Sequence, residues 1–284
     1  MSETVKAARF SIYSNSLLII LKTIAGLISG SVSIISEAIH SVMDLFASII
    51  AYFSIKISNK PPDHNHPYGH GKFENASGVI EAILIFIAAI WIIYEAVEKI
   101  REPNEIESFG IGFSVMLFAG IVNYFISRYL YRISNKFDSI ALKADALHLK
   151  TDAYTSIGVC IGILLIWITG INILDSIFAI GIALLIMNEA FVLLKKAYSP
   201  LMDHALPERE EKMIKKIIEK HIDNFHHFRT RKAGDKKFVD FHLEMKGDIS
   251  LQKAHDKCDD IENEIKSAIE NIEVTIHVET FESK

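Results

Sequence analysis

Six stretches of this chain are long and apolar enough that water is an unlikely solvent for them. They run from Ala8 to Ser29, Ser33 to Ile57, Asn75 to Ile100, Phe109 to Tyr131, Leu142 to Ile168 and Ile173 to Leu194. A hydrocarbon layer about 30 Å thick is crossed by roughly 20 helical residues. With no water to satisfy peptide groups, only helices or closed barrels can make that crossing. The reading is an all-α six-helix transmembrane bundle with short loops, broken at Gly30, at Pro61 to Gly71, at Pro103, at Ser134 to Asp138 and at Gly170.

The remainder of the chain has a different character. Residues 206–284 carry 15 Lys and Arg against 18 Asp and Glu, although half of the whole chain is hydrophobic. The expected organisation is therefore a membrane domain over 1–205 and a small water-exposed domain over 206–284. Pro207 opens a helix with Met213, Ile214, Ile217 and Ile218 on one face. Phe225 to Lys232 and Phe238 to Met245 flank a Gly234-Asp235 turn and read as a β-hairpin. Ser250 can cap a second helix, and Val274, Ile276 and Val278 alternate with Thr275, His277 and Glu279 in a last strand. The tail is thus an α+β domain of order αββαβ.

Lys and Arg near the helix ends set the orientation, because basic loops stay in the cytoplasm. Lys6, Arg9, Lys56, Lys60, Lys72, Arg128, Arg132, Lys136, Lys143, Lys195 and Lys196 fall on one side. Only Lys99 and Arg101 fall on the other, accompanied by Glu102, Glu105 and Glu107. Both termini are expected to be cytoplasmic, and nothing at the N-terminus resembles a removable signal peptide.

Two helices carry the same pair of ionisable side chains. His40 and Asp44 lie four residues apart in the second segment, and His148 and Asp152 in the fifth, so each pair shares one helical face. Ionisable groups are costly in hydrocarbon and mark ion or proton pathways there. Four such ligands from two helices make a tetrahedral set. Zinc accepts His nitrogen and Asp oxygen at about 2.0 to 2.2 Å in four-coordination, whereas magnesium and calcium prefer more, and all-oxygen, ligands. Cobalt, nickel, iron and cadmium also fit, since intrinsic affinity separates such metals poorly. Asn15, Lys22, Glu81, Asn123 and Glu189 have no comparable pattern and are assigned to helix packing or snorkelling.

Two further groups of donors stand outside the apolar segments. Asp63, His66 and His70 fall within the turn-rich PPDHNHPYGHGK. In the tail, His242, His277 and Glu279 lie on the polar faces of two strands, with His277 and Glu279 two residues apart and so on one side. His204, His221 and His227 are read as ordinary surface histidines.

The stretches SEAIHSVMD, HPYGHGKFE, ADALHLKTD, LMDHALP and FRTRKAG resemble the cation diffusion facilitator family, and within it the bacterial zinc and iron efflux transporters. The resemblance covers nearly the whole chain. It implies a transport site at His40, Asp44, His148 and Asp152, and a loop site at Asp63, His66 and His70. It further implies a binuclear tail site of His226, His242, His255, His277 and Glu279, in a ferredoxin-like, metallochaperone-type cytoplasmic domain. Lys72 and Asp203 match the family's charge interlock. Some bacterial relatives carry Asp where His40 stands, and Asp where Glu279 stands.

What the resemblance implies about function is Zn2+/H+ antiport out of the cytoplasm by a homodimer in the inner membrane, with zinc on the tail as regulator. Aspartate and histidine release protons to bind metal and regain them to release it, which is the chemistry such an exchange needs. The alternatives are an Fe2+, Mn2+ or Cd2+ carrier of the same fold, or a membrane zinc sensor that does not transport. A net charge of -5 without a basic run excludes a nucleic-acid footprint. Cys160 and Cys258 form no CxxC pair. No general base stands beside an open metal position, so an enzyme is not expected.

Overall fold

The computed structural model describes residues 2–29, 32–101, 111–169, 173–222 and 224–281. They form two compact units, 1–198 and 199–284.

The described elements of the first unit are all helices: α1 (Glu3–Ser29), α2 (Val32–Ser58), α3 (Lys72–Arg101), α4 (Ile111–Phe137), α5 (Ile140–Thr169) and α6 (Ile173–Tyr198). Each helix extends past its apolar segment where polar residues continue the turn, as at Glu3 of α1 and Asn135 and Lys136 of α4. Gly30, Pro103, Phe109, Gly170 and the glutamates Glu102, Glu105 and Glu107 lie outside the described residues.

One expected break is narrower than its sequence reading. Helix α4 runs through Ser134 to Phe137, and the chain turns only at Asp138, which takes a φ of 50°. Asp is one of the few side chains that tolerate this left-handed conformation. The Ser139 hydroxyl then accepts from Leu142 N and opens α5.

The main packing surfaces pair α3 with α6, α4 with α5 and α1 with α2. Small residues permit close approach, as at Ala141, Ala144, Ala146 and Ala153 of α5, all fully buried. At Gly78 of α3 an added Cβ would lie 2.5 Å from Ile140 Cγ2 and 3.2 Å from Ala197 Cβ, so only glycine fits. The outside carries large apolar side chains such as Leu27, Trp91, Phe125 and Leu185, a surface suited to lipid rather than water. By length and apolarity alone, two described stretches qualify as membrane spans, Lys72–Arg101 and Ser176–Met202.

The second unit begins with a 3-10 turn (Ser199–Met202), followed by α7 (Glu208–His221), β1 (Phe225–Ala233), β2 (Lys236–Lys246), α8 (Leu251–Ala268) and β3 (Ile272–Phe281). The strand order is β1-β2-β3, with β1 antiparallel and β3 parallel to β2. Gly234 turns the hairpin with a φ of 65°. The Ser250 hydroxyl caps α8 by accepting from Lys253 N. Alternation gives β2 one apolar face, Val239, Phe241, Leu243 and Met245, which packs with Ile214 and Ile218 of α7 and Ile261 and Ile265 of α8. Both helices therefore cover one side of the sheet, and the opposite face carries His226, His242, His277 and Glu279.

Candidate metal centres

Helices α2 and α5 pack together within the bundle and bring Asp44 of one pair beside His148 and Asp152 of the other. His148 Nε2 lies 3.0 Å from Asp44 Oδ1. Ligand atoms of Asp44, His148 and Asp152 all fall within 4.8 Å of one another. Asp44 is buried, and His148 and Asp152 are partly buried. Three donors thus converge on one point without a covalent link. The fourth sequence candidate, His40, lies on α2 one turn before Asp44, and its side chain is outside the described residues.

Around this triad lies a polar layer that sequence reading treated only in part. Asp145 of α5 is fully buried. Its Oδ1 accepts from Ser48 Oγ at 2.6 Å, and Ser48 Oγ in turn accepts from Asn15 Nδ2 at 2.8 Å and lies 3.2 Å from Ser11 Oγ. Helices α1, α2 and α5 are tied by this one node. Lys22 Nζ donates to Ser41 Oγ at 2.7 Å, and Lys150 Nζ pairs with Glu189 at 2.6 Å. Asn15, Lys22 and Glu189 are therefore interhelical partners rather than snorkelling groups. Glu81 of α3 is also buried and accepts from Ser77 Oγ. Asp145 escaped the sequence reading; the available signal was its position three residues before His148, on nearly the same helical face.

The loop before α3 gathers Asp63, His66 and His70, whose ligand atoms lie within 4.8 Å of one another. Backbone bonds between Asp63 and His66, in both directions at 3.2 Å, close the turn, and Gly69 supplies a φ of 85°. Asp63 Oδ1 stands 3.2 Å from His66 Nδ1, and Oδ2 stands 3.3 Å from His70 Nε2. The backbone N–H of His66 donates to the Asp63 carboxylate and holds it below its ordinary range, aided by His66 Nδ1 and Asn65 N–H. A carboxylate kept ionised between two imidazoles is a ready cation seat. His64 is exposed and outside this group.

On the open face of the tail sheet, ligand atoms of His226, His242 and Glu279 lie within 4.8 Å of one another. Register explains the meeting: His226 stands opposite His242, which stands opposite His277, while Glu244 pairs with Glu279. His242 Nδ1 is 2.8 Å and His277 Nε2 3.5 Å from Glu279 Oε1, and His226 Nε2 is 3.2 Å from Oε2. The bond from His242 holds the Glu279 carboxyl below its ordinary range, with His226 and His277 adding to it. Glu244 joins from the same face at 3.5 Å from His226 and was not among the sequence candidates. His255 is elsewhere: α8 packs on the other side of the sheet, and His255 faces Asp259 at 3.6 Å.

Lys72 is the first residue of α3. Asp203 closes the 3-10 turn of the second unit with a φ of 52°, its Oδ1 3.5 Å from Arg231 Nη1. His221 is held by Glu264 at 2.7 Å.

Residues 8–202 match the family described as the cation efflux transmembrane domain, and residues 206–281 match the cation efflux protein cytoplasmic domain. An uncharacterised transporter of Synechocystis is 35% identical over 92% of this chain and 86% of its own. The cation-efflux pump FieF of Shewanella oneidensis is 32% identical over 95% of this chain and 92% of its own. A solved structure of the metal-bound C-terminal domain of the CzcD transporter from Thermotoga maritima is 32% identical, covering 26% of this chain and 94% of that one, with a TM-score of 0.24.

Proposed function

The chain belongs to the cation efflux family, the cation diffusion facilitators, and from that premise we propose that it exports zinc from the cytoplasm in exchange for protons. It is a membrane cation efflux transporter. The observation that carries the finer reading is the convergence of Asp44, His148 and Asp152 between α2 and α5. With His40 as fourth ligand the set has two nitrogens and two oxygens, a donor mix that suits zinc better than the hard cations.

In this reading all six helices span the inner membrane, and both termini are cytoplasmic. Carboxylate and imidazole ligands bind zinc deprotonated, so loading the site releases protons and reprotonation favours release of the ion. A site that opens alternately to the two faces thereby couples the two flows. The polar node at Asp145 positions α5 against α1 and α2 while the ion is held.

Zinc is also bound by the loop group, Asp63, His66 and His70, and by the tail group, where His226, His242, His277 and Glu279 meet on the open face of the sheet, while His255 stands on the helix that covers the other side. The tail domain, 206–284, dimerises the chain, and metal bound there biases the membrane domain, 1–205, toward transport by differential affinity for two states. Cd2+, Fe2+ and Mn2+ are the competing substrates.

The test is metal uptake into sealed proteoliposomes for Zn2+, Cd2+, Fe2+ and Mn2+, with and without an imposed pH gradient. Zinc uptake that rises with a proton gradient directed against it supports the reading. Uptake indifferent to the gradient removes the antiport, and a preference for Mn2+ removes the zinc assignment. A non-transporting sensor would bind zinc and show no flux.

A further inference from the structure

The first strand of the tail does not alternate as a regular strand does. Phe225 and Phe228 both pack against the core, their ring centroids 6.2 Å apart, although residues three apart on an unbroken strand point to opposite faces. His226 stands opposite His242 and Arg229 opposite Asp240, so His227 and Phe228 together occupy the space facing the single residue Phe241. This is a β-bulge, in which one extra residue re-aims the side chains beside it.

His227 carries that irregularity in its backbone, with a φ of 50°. Left-handed backbone is uncommon for a residue with a side chain and gathers at functional positions where the surrounding structure imposes it. Here its consequence is chemical. Two consecutive imidazoles, which alternation would send to opposite faces, come to the same one. The His227 ring centroid lies 4.9 Å from that of His226 and 4.9 Å from that of His242. His226 and His242 are themselves 5.2 Å apart, and His242 and His277 4.7 Å. Rings at these spacings are in contact, close enough for a small rotation to bring their nitrogens to one ion. His227 is exposed, so its ring can turn toward an arriving cation without leaving the core.

We propose that His227 is a metal ligand of the tail centre, adding an imidazole beside His226, His242 and Glu279. The proposal rests on the reading of that face as a metal site and deepens it. An additional nitrogen donor shifts the preference of the site toward borderline cations such as zinc, cobalt and nickel, and away from manganese and magnesium. The sequence dipeptide His226-His227 is then a ligand pair made by a bulge.

The test uses the full-length chain in detergent with Asp63→Asn and Asp152→Ala, which weaken the loop and intramembrane groups. Zinc affinity is read by chelator competition, and the ligand set by the visible absorption of bound Co2+. His227→Asn and His227→Asp are nearly isosteric and both accept left-handed backbone, but only the aspartate offers an anionic ligand. His227→Asn is expected to weaken tail zinc binding by at least about tenfold, the lower end of what loss of an outer-shell partner costs. His227→Asp is expected to keep most of the affinity with an altered Co2+ spectrum. Equal effects of Asn and Asp, or no effect of either, while His242→Ala abolishes binding, would overturn the ligand role alone. Tail binding that survives His242→Ala would overturn the metal-site reading together with it.

Discussion

His148 Nε2 stands 3.0 Å from Asp44 Oδ1 across the contact between α2 and α5, although 104 residues separate them in the chain. The two groups stand within hydrogen-bond reach of each other, and each is a metal ligand in the proposed transport site. A cation held between them replaces that contact with bonds to the ion. Asp152, one turn along α5 from His148, has a ligand atom within 4.8 Å of those of both residues.

Adding zinc to weakly buffered full-length protein should therefore acidify the solution, as coordination releases protons from the ligands. An indicator dye reads the release. Asp152→Ala should release fewer protons per chain than the parent; equal release would mean that the intramembrane group does not bind the ion.

Ser48→Ala should destabilise the bundle without changing which metal is carried. Ser48 donates to Asp145 and accepts from Asn15, and all three are buried. Stranding a buried polar group costs about 1–3 kcal/mol, so the thermal midpoint of the purified protein should fall by several degrees. An unchanged midpoint would show that water replaces the hydroxyl at no cost.

Gly78→Val should overpack the junction of α3, α5 and α6, since even a methyl group there meets Ile140 and Ala197. Overpacking of this kind costs about 1–3 kcal/mol. Thermal unfolding at the parent's temperature would show that α3 stands farther from its neighbours than described.

Acid should loosen the tail through Glu264. This carboxylate accepts from Lys220 Nζ at 2.8 Å and His221 Nε2 at 2.7 Å, tying α8 to α7. The Lys220 bond, then the His221 bond, hold its pKa below the ordinary 4.5. A depressed carboxyl stabilises the fold above its unfolded value, and that contribution is lost as pH falls from about 4.5 through the lower folded value. Hydrogen exchange of α7 and α8 amides should accelerate over that window in the parent. In Glu264→Gln the Lys220-dependent part of the change should be absent, and an identical profile would remove the tie from the account.

The existence of the helices and the positions of the paired ligands were legible in the sequence for different reasons. A run of apolar residues declares its length directly. His148 and Asp152 are four residues apart on one helix, so their shared face follows from helical geometry alone. The hairpin was equally plain, since Val239, Phe241 and Leu243 alternate with polar residues around a glycine turn. What stayed hidden depends on contacts between elements distant in the chain. Ser11, Asn15, Ser48 and Asp145 belong to three helices and show no common spacing. The bulge at His227 hides for the converse reason: strict alternation sends that side chain to the core, and only the demand of Phe225 and Phe228 for one apolar face reverses it. Ser134 to Phe137 read as a break from composition, yet those residues remain helical because Asp138 alone supplies the turn.

The central claim is that Asp44, His148 and Asp152, with His40, hold the transported ion. Zinc flux into sealed proteoliposomes containing the parent, Asp44→Ala or Asp152→Ala, at matched protein content, tests it most directly. The account predicts flux in the parent and background leakage in both variants. Either variant carrying zinc at the parent's rate would contradict it.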